Sequence, residues 1–175
     1  MKFFLSLLLL LLLGCIGRGP VSEEMKAPEV EAEIGEPLLR EGDIAAVALT
    51  REELGTGTWT VTTENWSEEM YEIRFIMVEA TFGAASRLVN RVHLYPDIHS
   101  ALEDYKMLVE SLETFPTSKP NVGEEALLWT RGSFGYLAFV RGNVVVEFEY
   151  TSPTFAEDWF LIELAEIVDS KIKGG

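Results

Sequence analysis

Apolar residues recur along this chain with two different periods, and the switches between them mark out its elements. From Asp97 to Phe115, the residues Ile98, Ala101, Leu102, Tyr105, Leu108, Val109, Leu112 and Phe115 return every three or four positions. Glu103, Asp104, Lys106, Glu110 and Glu113 take the opposite side, which predicts an amphipathic helix with one buried face. Asp97, directly after Pro96, supplies an N-cap. A second helix is predicted from Thr154, which stands at capping-box spacing from Glu157. It turns Phe160, Leu161, Leu164, Ala165, Val168 and Ile172 inward and carries Lys171 and Lys173 near its C-terminus, where the helix dipole favours cations.

Elsewhere the β-branched and aromatic residues predict strands at 58–65, 70–81, 86–95, 126–130, 134–140 and 144–151, separated by turn residues. Gly142-Asn143 is a two-residue hairpin signal. It sets Phe139 opposite Val146 and Leu137 opposite Phe148 on one face, with Tyr136, Glu147 and Glu149 on the other. In the third strand Leu88, Val92 and Leu94 point one way while Arg87, Arg91, His93 and Tyr95 point the other. A short apolar run, Ile44 to Leu49, precedes Thr50 and Glu53, again at capping-box spacing for a short helix that Gly55 or Gly57 ends. The order is strand-strand-strand-helix twice, with no matching residues that would make it a sequence repeat. Strands joined by tight turns pair antiparallel, so the fold class is α+β: a single antiparallel sheet of about six strands packed by two main helices.

The first residues follow neither period. Lys2 precedes an almost unbroken apolar run from Phe3 to Leu13, and eleven residues are too few to span a bilayer core, which needs roughly 20. The run reads as the core of a signal peptide over residues 1–14. Leu12-Leu13-Gly14-Cys15 resembles the lipobox of secreted lipoproteins, in which a small residue precedes a cysteine that is lipidated and becomes the mature N-terminus. The resemblance implies lipidation at Cys15, attachment to the membrane through that lipid, and residence on the extracytoplasmic face. Two acyl chains would supply the two signals that stable anchoring requires. An uncleaved N-terminal membrane helix and a cleaved signal with a chance cysteine are the alternatives. Residues 15–37, with Gly17, Gly19, Pro20, Pro28, Pro37 and many glutamates, have no sustained apolar period and read as a lipidated start followed by an acidic tether. A flexible chain of that length spans about 25 Å. Residues 38–175 form the single folded domain.

Charge narrows the function. Loss of Lys2 with the leader leaves 13 Lys and Arg against 29 Asp and Glu, a formal charge of −16. That balance excludes nucleic acid as a partner, since phosphate binding needs a basic stripe. One cysteine allows neither an intramolecular disulfide nor a cysteine-based zinc site. Glutamine is absent and glutamate far outnumbers aspartate, the direction in which hyperthermophile proteins lean.

The search for catalytic chemistry finds no His-Glu-x-x-His, Gly-x-Ser-x-Gly, Gly-Lys-Ser/Thr or Rossmann glycine run, and no cofactor is implied. His93, His99 and Asp97 are separated by a strand-to-helix turn, so no metal site is expected; no calcium loop is present either. Glu52-Glu53, Glu68-Glu69 and Glu124-Glu125 read as exposed turns. The one constellation is the sheet face carrying Arg87, Arg91, His93, Tyr95, Tyr136, Glu147 and Glu149, provided the two strand sets share a side. Arginine clusters bind carboxylates or phosphates through paired hydrogen bonds. The alternative is a set of cross-strand ion pairs on a solvated face, and the pattern favours it. Trp59, Trp66, Trp129 and Trp159 are core aromatics or a ligand platform, with Trp59 and Trp66 flanking a strand end.

Leu49-Thr50-Arg51-Glu52-Glu53-Leu54-Gly55 before a Gly-Thr-Trp strand, Tyr95-Pro96 before a helix carrying Tyr105, Val122-Gly123-Glu124-Glu125-Ala126, and Val140-Arg141-Gly142-Asn143-Val144-Val145-Val146 before a terminal helix together resemble uncharacterised archaeal and bacterial lipoproteins. Their domain is similar to the PsbP/Mog1-like α/β/α sandwich. The resemblance implies a non-enzymatic binding or assembly factor, engaging a protein partner or small ligand, and carries over no functional residue. An envelope-associated hydrolase and a structural or sensory surface protein are the alternatives.

Overall fold

The computed structural model describes residues 39–174, apart from 41, 56–57, 79–83, 113 and 116. The leader, Cys15, the tether and the end of the predicted second strand lie outside the described residues. Six strands form one antiparallel sheet: β1 (Trp59–Trp66), β2 (Met70–Val78), β3 (Ala85–Leu94), β4 (Glu125–Arg131), β5 (Phe134–Arg141) and β6 (Val144–Thr151). The helices are α1 (Ile44–Val47), α2 (Ile98–Ser111) and α3 (Asp158–Gly174), with a 3-10 turn at Glu52–Leu54. The α+β class and the single sheet expected from the sequence are what the chain adopts. No helix among the described residues is long and apolar enough to cross a membrane.

The strand order is β1-β2-β3-β6-β5-β4, two three-stranded meanders joined by antiparallel pairing of β3 with β6. After β3 the chain must cross the sheet to reach the far edge at β4, and α2 makes that crossing. On its way α2 packs Ala101 and Tyr105 against Leu127, Tyr136, Ala138, Val140 and Val145. The alternate residues Leu128, Leu137, Phe139, Val146 and Phe148 face the opposite side and meet Leu161, Leu164, Ala165 and Val168 of α3. The second meander is therefore covered on both faces, which explains why β5 is buried continuously from Gly135 to Val140. In the first meander Tyr71, Ile73 and Phe75 of β2 join the α3-side core, together with Ile44 and Val47 of α1. The α2-side face of β2 and β3 carries Glu72, Arg74, Arg87, Arg91 and His93.

Local signals read from the sequence hold where side chains close them. Asp97 Oδ1 accepts the Ser100 amide at 2.8 Å and starts α2. Glu53 Oε2 accepts the Thr50 amide at 2.8 Å. The Gly142-Asn143 hairpin sets the expected register, Leu137 with Phe148 and Phe139 with Val146. Two expected helix ends move. Helix α2 ends at Ser111, not Phe115, because Leu112 leaves helical geometry and the Phe115 ring packs against Trp129, with centroids 4.7 Å apart. Helix α3 begins at Asp158, so Thr154 and Glu157 do not form its capping box. Instead the Ser152 and Ala156 amides donate to the carbonyls of Ser133 and Gly132, each at 2.8 Å, and hold this stretch against the β4–β5 turn.

Buried polar groups fasten the segments that the sheet does not pair. Asn143, fully enclosed, accepts the Leu39 amide and donates to the Leu39 and Tyr95 carbonyls. Asn90 accepts the Leu49 amide at 3.0 Å. Arg141 makes a two-pronged contact with Asp169 of α3, at 2.7 and 3.1 Å, and donates to the Gly123 carbonyl at 2.8 Å. Burial alone would raise the Asp169 pKa, but hydrogen bonds from Arg141 and Lys173 hold it below the ordinary range.

Candidate functional site

Of the seven sheet-face residues singled out by alternation, the structure brings five together. Pairing of β3 with β6 sets Arg91 opposite Glu147, and pairing of β5 with β6 sets Tyr136 opposite Glu149. Arg91 Nη1 reaches Glu149 Oε1 at 2.5 Å and lies 4.0 Å from Glu147 Oε2. The Tyr136 hydroxyl donates to Glu147 Oε2 at 2.7 Å. His93 Nε2 stands 3.0 Å from Glu147 Oε1, but the oxygen lies off the line of the ring N–H, leaving Nε2 buried without a hydrogen-bond partner. Tyr95 turns aside, its hydroxyl donating to Asp104 of α2 at 2.5 Å. Arg87, paired with Ile76 and Thr151 toward the other end of β3, is exposed and takes no part in the cluster.

Two members escaped the sequence reading. Glu72 of β2 lies opposite Arg91 and accepts from its Nε at 2.6 Å, and Arg74 Nε donates to the same carboxylate at 2.9 Å. The signal was present: Tyr71, Ile73 and Phe75 alternate inward, which puts Glu72 and Arg74 on the opposite face. Burial would raise the Glu72 pKa, yet the hydrogen bonds and charges of Arg74 and Arg91 hold it below the usual carboxylate range. Glu147 behaves alike: burial is outweighed by His93, Tyr136 and Arg91, and its pKa falls. Burial and the Glu147 charge push the Tyr136 phenol upward.

Arg91 is spoken for. Its guanidinium is shared among carboxylates from β2 and β6, Nε with Glu72 and Nη1 with Glu149. Two arginines stand among three glutamates. The geometry is that of cross-strand ion pairs holding β2, β3 and β6 together.

A groove opens on the other face, at the end of β1. Helix α1 is one turn long and covers β2 and β3, leaving the end of β1 open. A groove of about 660 Å³ results, lined by Ile44 and Ala45 of α1, Glu64 and Trp66 of β1, Tyr71 of β2 and the Ser67–Glu68 turn. Trp66 pairs across strands with Tyr71 and is 75% exposed, whereas Trp59, at the other end of the strand, is buried. The Tyr71 hydroxyl donates to Glu64 Oε1 at 2.5 Å, fixing the carboxylate at the groove wall. Burial and that carboxylate raise the Tyr71 pKa, so the phenol stays protonated. Ser67 closes the β1–β2 turn, its Oγ accepting the Met70 amide at 3.1 Å. A cleft of about 510 Å³ on the far side of this turn is lined by Ser67, Met70, His93 and Tyr95.

Among the described residues no group of three or more His, Cys, Asp or Glu side chains is arranged to hold a metal ion. The chain matches no protein-family model, no curated protein and no solved structure.

Proposed function

We propose that this protein is a lipid-anchored binding domain on the extracytoplasmic face of the cell membrane, without catalytic machinery of its own, and that the groove beside Trp66 receives its ligand or partner. The observation that supports the binding reading is the exposure of Trp66 on the wall of a concave surface. A tryptophan side chain buried in a core contributes several kcal/mol, and leaving one in water at the lip of a groove forgoes that contribution. Ligand sites combine such apolar walls with a few fixed polar groups, and Glu64 pinned by Tyr71 is one. The Leu-Leu-Gly-Cys sequence supports the anchor, and the resemblance to PsbP/Mog1-like lipoproteins supports an assembly or carrier role.

Native mass spectrometry of the full-length protein purified from its own membranes tests this. The expected result is a chain starting at Cys15 with the mass of two covalent acyl chains, plus a noncovalent species lost on denaturation. An unmodified full-length chain would overturn the anchor, and the absence of any noncovalent partner in membrane extracts would overturn the binding reading.

One observation favours an envelope hydrolase as the second reading: Ser67 and the Glu147-facing His93 line the same cleft. Against it, Ser67 Oγ is engaged with the backbone of Met70, and no Ser67–His93 hydrogen bond occurs among the described residues. Covalent labelling of Ser67 by a fluorophosphonate would establish the hydrolase; an unlabelled protein disposes of it.

A further inference from the structure

We infer that the Trp66 groove selects a small organic ammonium ion. This rests on reading the groove as the binding site and goes on to name its chemistry. The polar inventory of the lining is one-sided. Glu64 and Glu68 present carboxylates, and neither has an ion-pair partner among the described residues. Among the described residues no lysine or arginine lines the groove. The hydroxyl donors of the lining are engaged: the Tyr71 hydroxyl is given to Glu64, and the Ser67 hydroxyl turns to the Met70 carbonyl, which leaves the indole N–H of Trp66 as the free side-chain donor among the described lining residues. The two carboxylates favour a ligand that brings positive charge, and an anion would meet them uncompensated.

The aromatic wall sharpens the choice. Glu64 and Trp66 are two apart on one strand, on one face and about 7 Å from each other along it. A cation lying between them touches the indole face, which attracts it through the ring quadrupole, and the carboxylate, which neutralises it. Tryptophan is the best of the aromatic residues for this contact. Ile44 and Ala45 supply the apolar floor that suits alkyl groups on nitrogen. The volume of about 660 Å³ is that of a small-molecule site.

Calorimetric titration of the full-length protein, in a nonionic detergent, with choline and with its neutral isostere 3,3-dimethyl-1-butanol tests the inference. Saturable choline binding is expected, with the neutral analogue at least tenfold weaker. Trp66→Ala and Glu64→Gln should each weaken choline tenfold or more while leaving the melting temperature unchanged; the amide oxygen of the second variant still accepts from Tyr71. Equal affinity for the two probes, or binding of the neutral disaccharide cellobiose in place of choline, would overturn the cation assignment. No choline binding by a protein that still carries a noncovalent species in native spectra overturns this inference and leaves the binding reading standing; the loss of both overturns both.

Discussion

Replacing Asn143 with alanine should destabilise the domain by about 3 kcal/mol. The side chain is 1% exposed and makes three hydrogen bonds: Oδ1 accepts the Leu39 amide at 3.2 Å, and Nδ2 donates to the Leu39 and Tyr95 carbonyls, each at 3.0 Å. These bonds tie three segments together: the start of the described chain, the end of β3 and the β5–β6 hairpin. Each net hydrogen bond is worth about 1 kcal/mol, and a buried carbonyl left unpaired costs more than the bond it lost. The backbone bond from the Tyr95 amide to the Asn143 carbonyl survives the change, so the hairpin itself persists. Asn143→Asp provides the control. It keeps the shape and the acceptor for Leu39 but sets a carboxylate against two carbonyl oxygens, so at neutral pH it should destabilise at least as much as alanine. Urea denaturation followed by tryptophan fluorescence reads both variants, and a loss of about 3 kcal/mol corresponds to roughly 10 °C in melting temperature for a domain of this size. An alanine variant within about 0.5 kcal/mol of wild type, or an aspartate variant more stable than alanine, would refute the reasoning.

Arg91→Ala leaves Glu72, Glu147 and Glu149 facing one another. It should destabilise the fold by about 2 kcal/mol, less than a fully buried pair because Arg91 keeps some contact with water. A lowered melting temperature with unchanged choline affinity is the expected pair of readings, and an unchanged melting temperature would return this face to consideration as an anion site. Glu72, Glu147 and Asp169 all have pKa values below their ordinary range in the folded state, so the unfolded chain takes up protons first as pH falls. Their stabilisation is complete above the unfolded carboxylate range, near pH 5, and is lost below about pH 4 as the folded groups protonate. Thermal melts from pH 7 to pH 3 should show a plateau and then a fall; a flat profile would contradict the assigned pairs. Gly123→Ala should destabilise by more than about 2 kcal/mol, because Gly123 sits at φ +66° and an added Cβ would stand 2.6 Å from the Val140 carbonyl. A melt within about 2 °C of wild type would show that the loop gives way.

The polar face shows how far alternation carries. Period-two reading within β3 and β6 put Arg91, His93, Glu147 and Glu149 on outward positions, and the β5–β6 turn fixed Tyr136 relative to them. That β3 and β6 would lie side by side was not contained in either period, since they are separated by α2, β4 and β5. Glu72 was equally readable on β2, but its importance comes from standing opposite Arg91. The groove was legible only as two tryptophans flanking a strand. Which of them is exposed depends on α3: the Phe160 ring stacks on Trp59, with centroids 6.4 Å apart, while Trp66 has no such ring against it among the described residues.

What the sequence by itself determined are the properties that short-range physics sets. These are the helix and strand periods, the Asp97 cap, the hairpin register at Gly142-Asn143, the α+β class and the acidic charge. Each depends on residues within a few positions of one another or on a simple sum. What only the tertiary structure decided are the strand order, the half of the sheet that α2 covers, and the start of α3 at Asp158 and not at Thr154. The pairing of Arg91 with carboxylates from two other strands belongs there too. These depend on contacts between residues far apart in the chain, such as Leu39 with Asn143 across 104 positions, where the competition among alternative partners is settled by packing and by the need to satisfy every buried polar group.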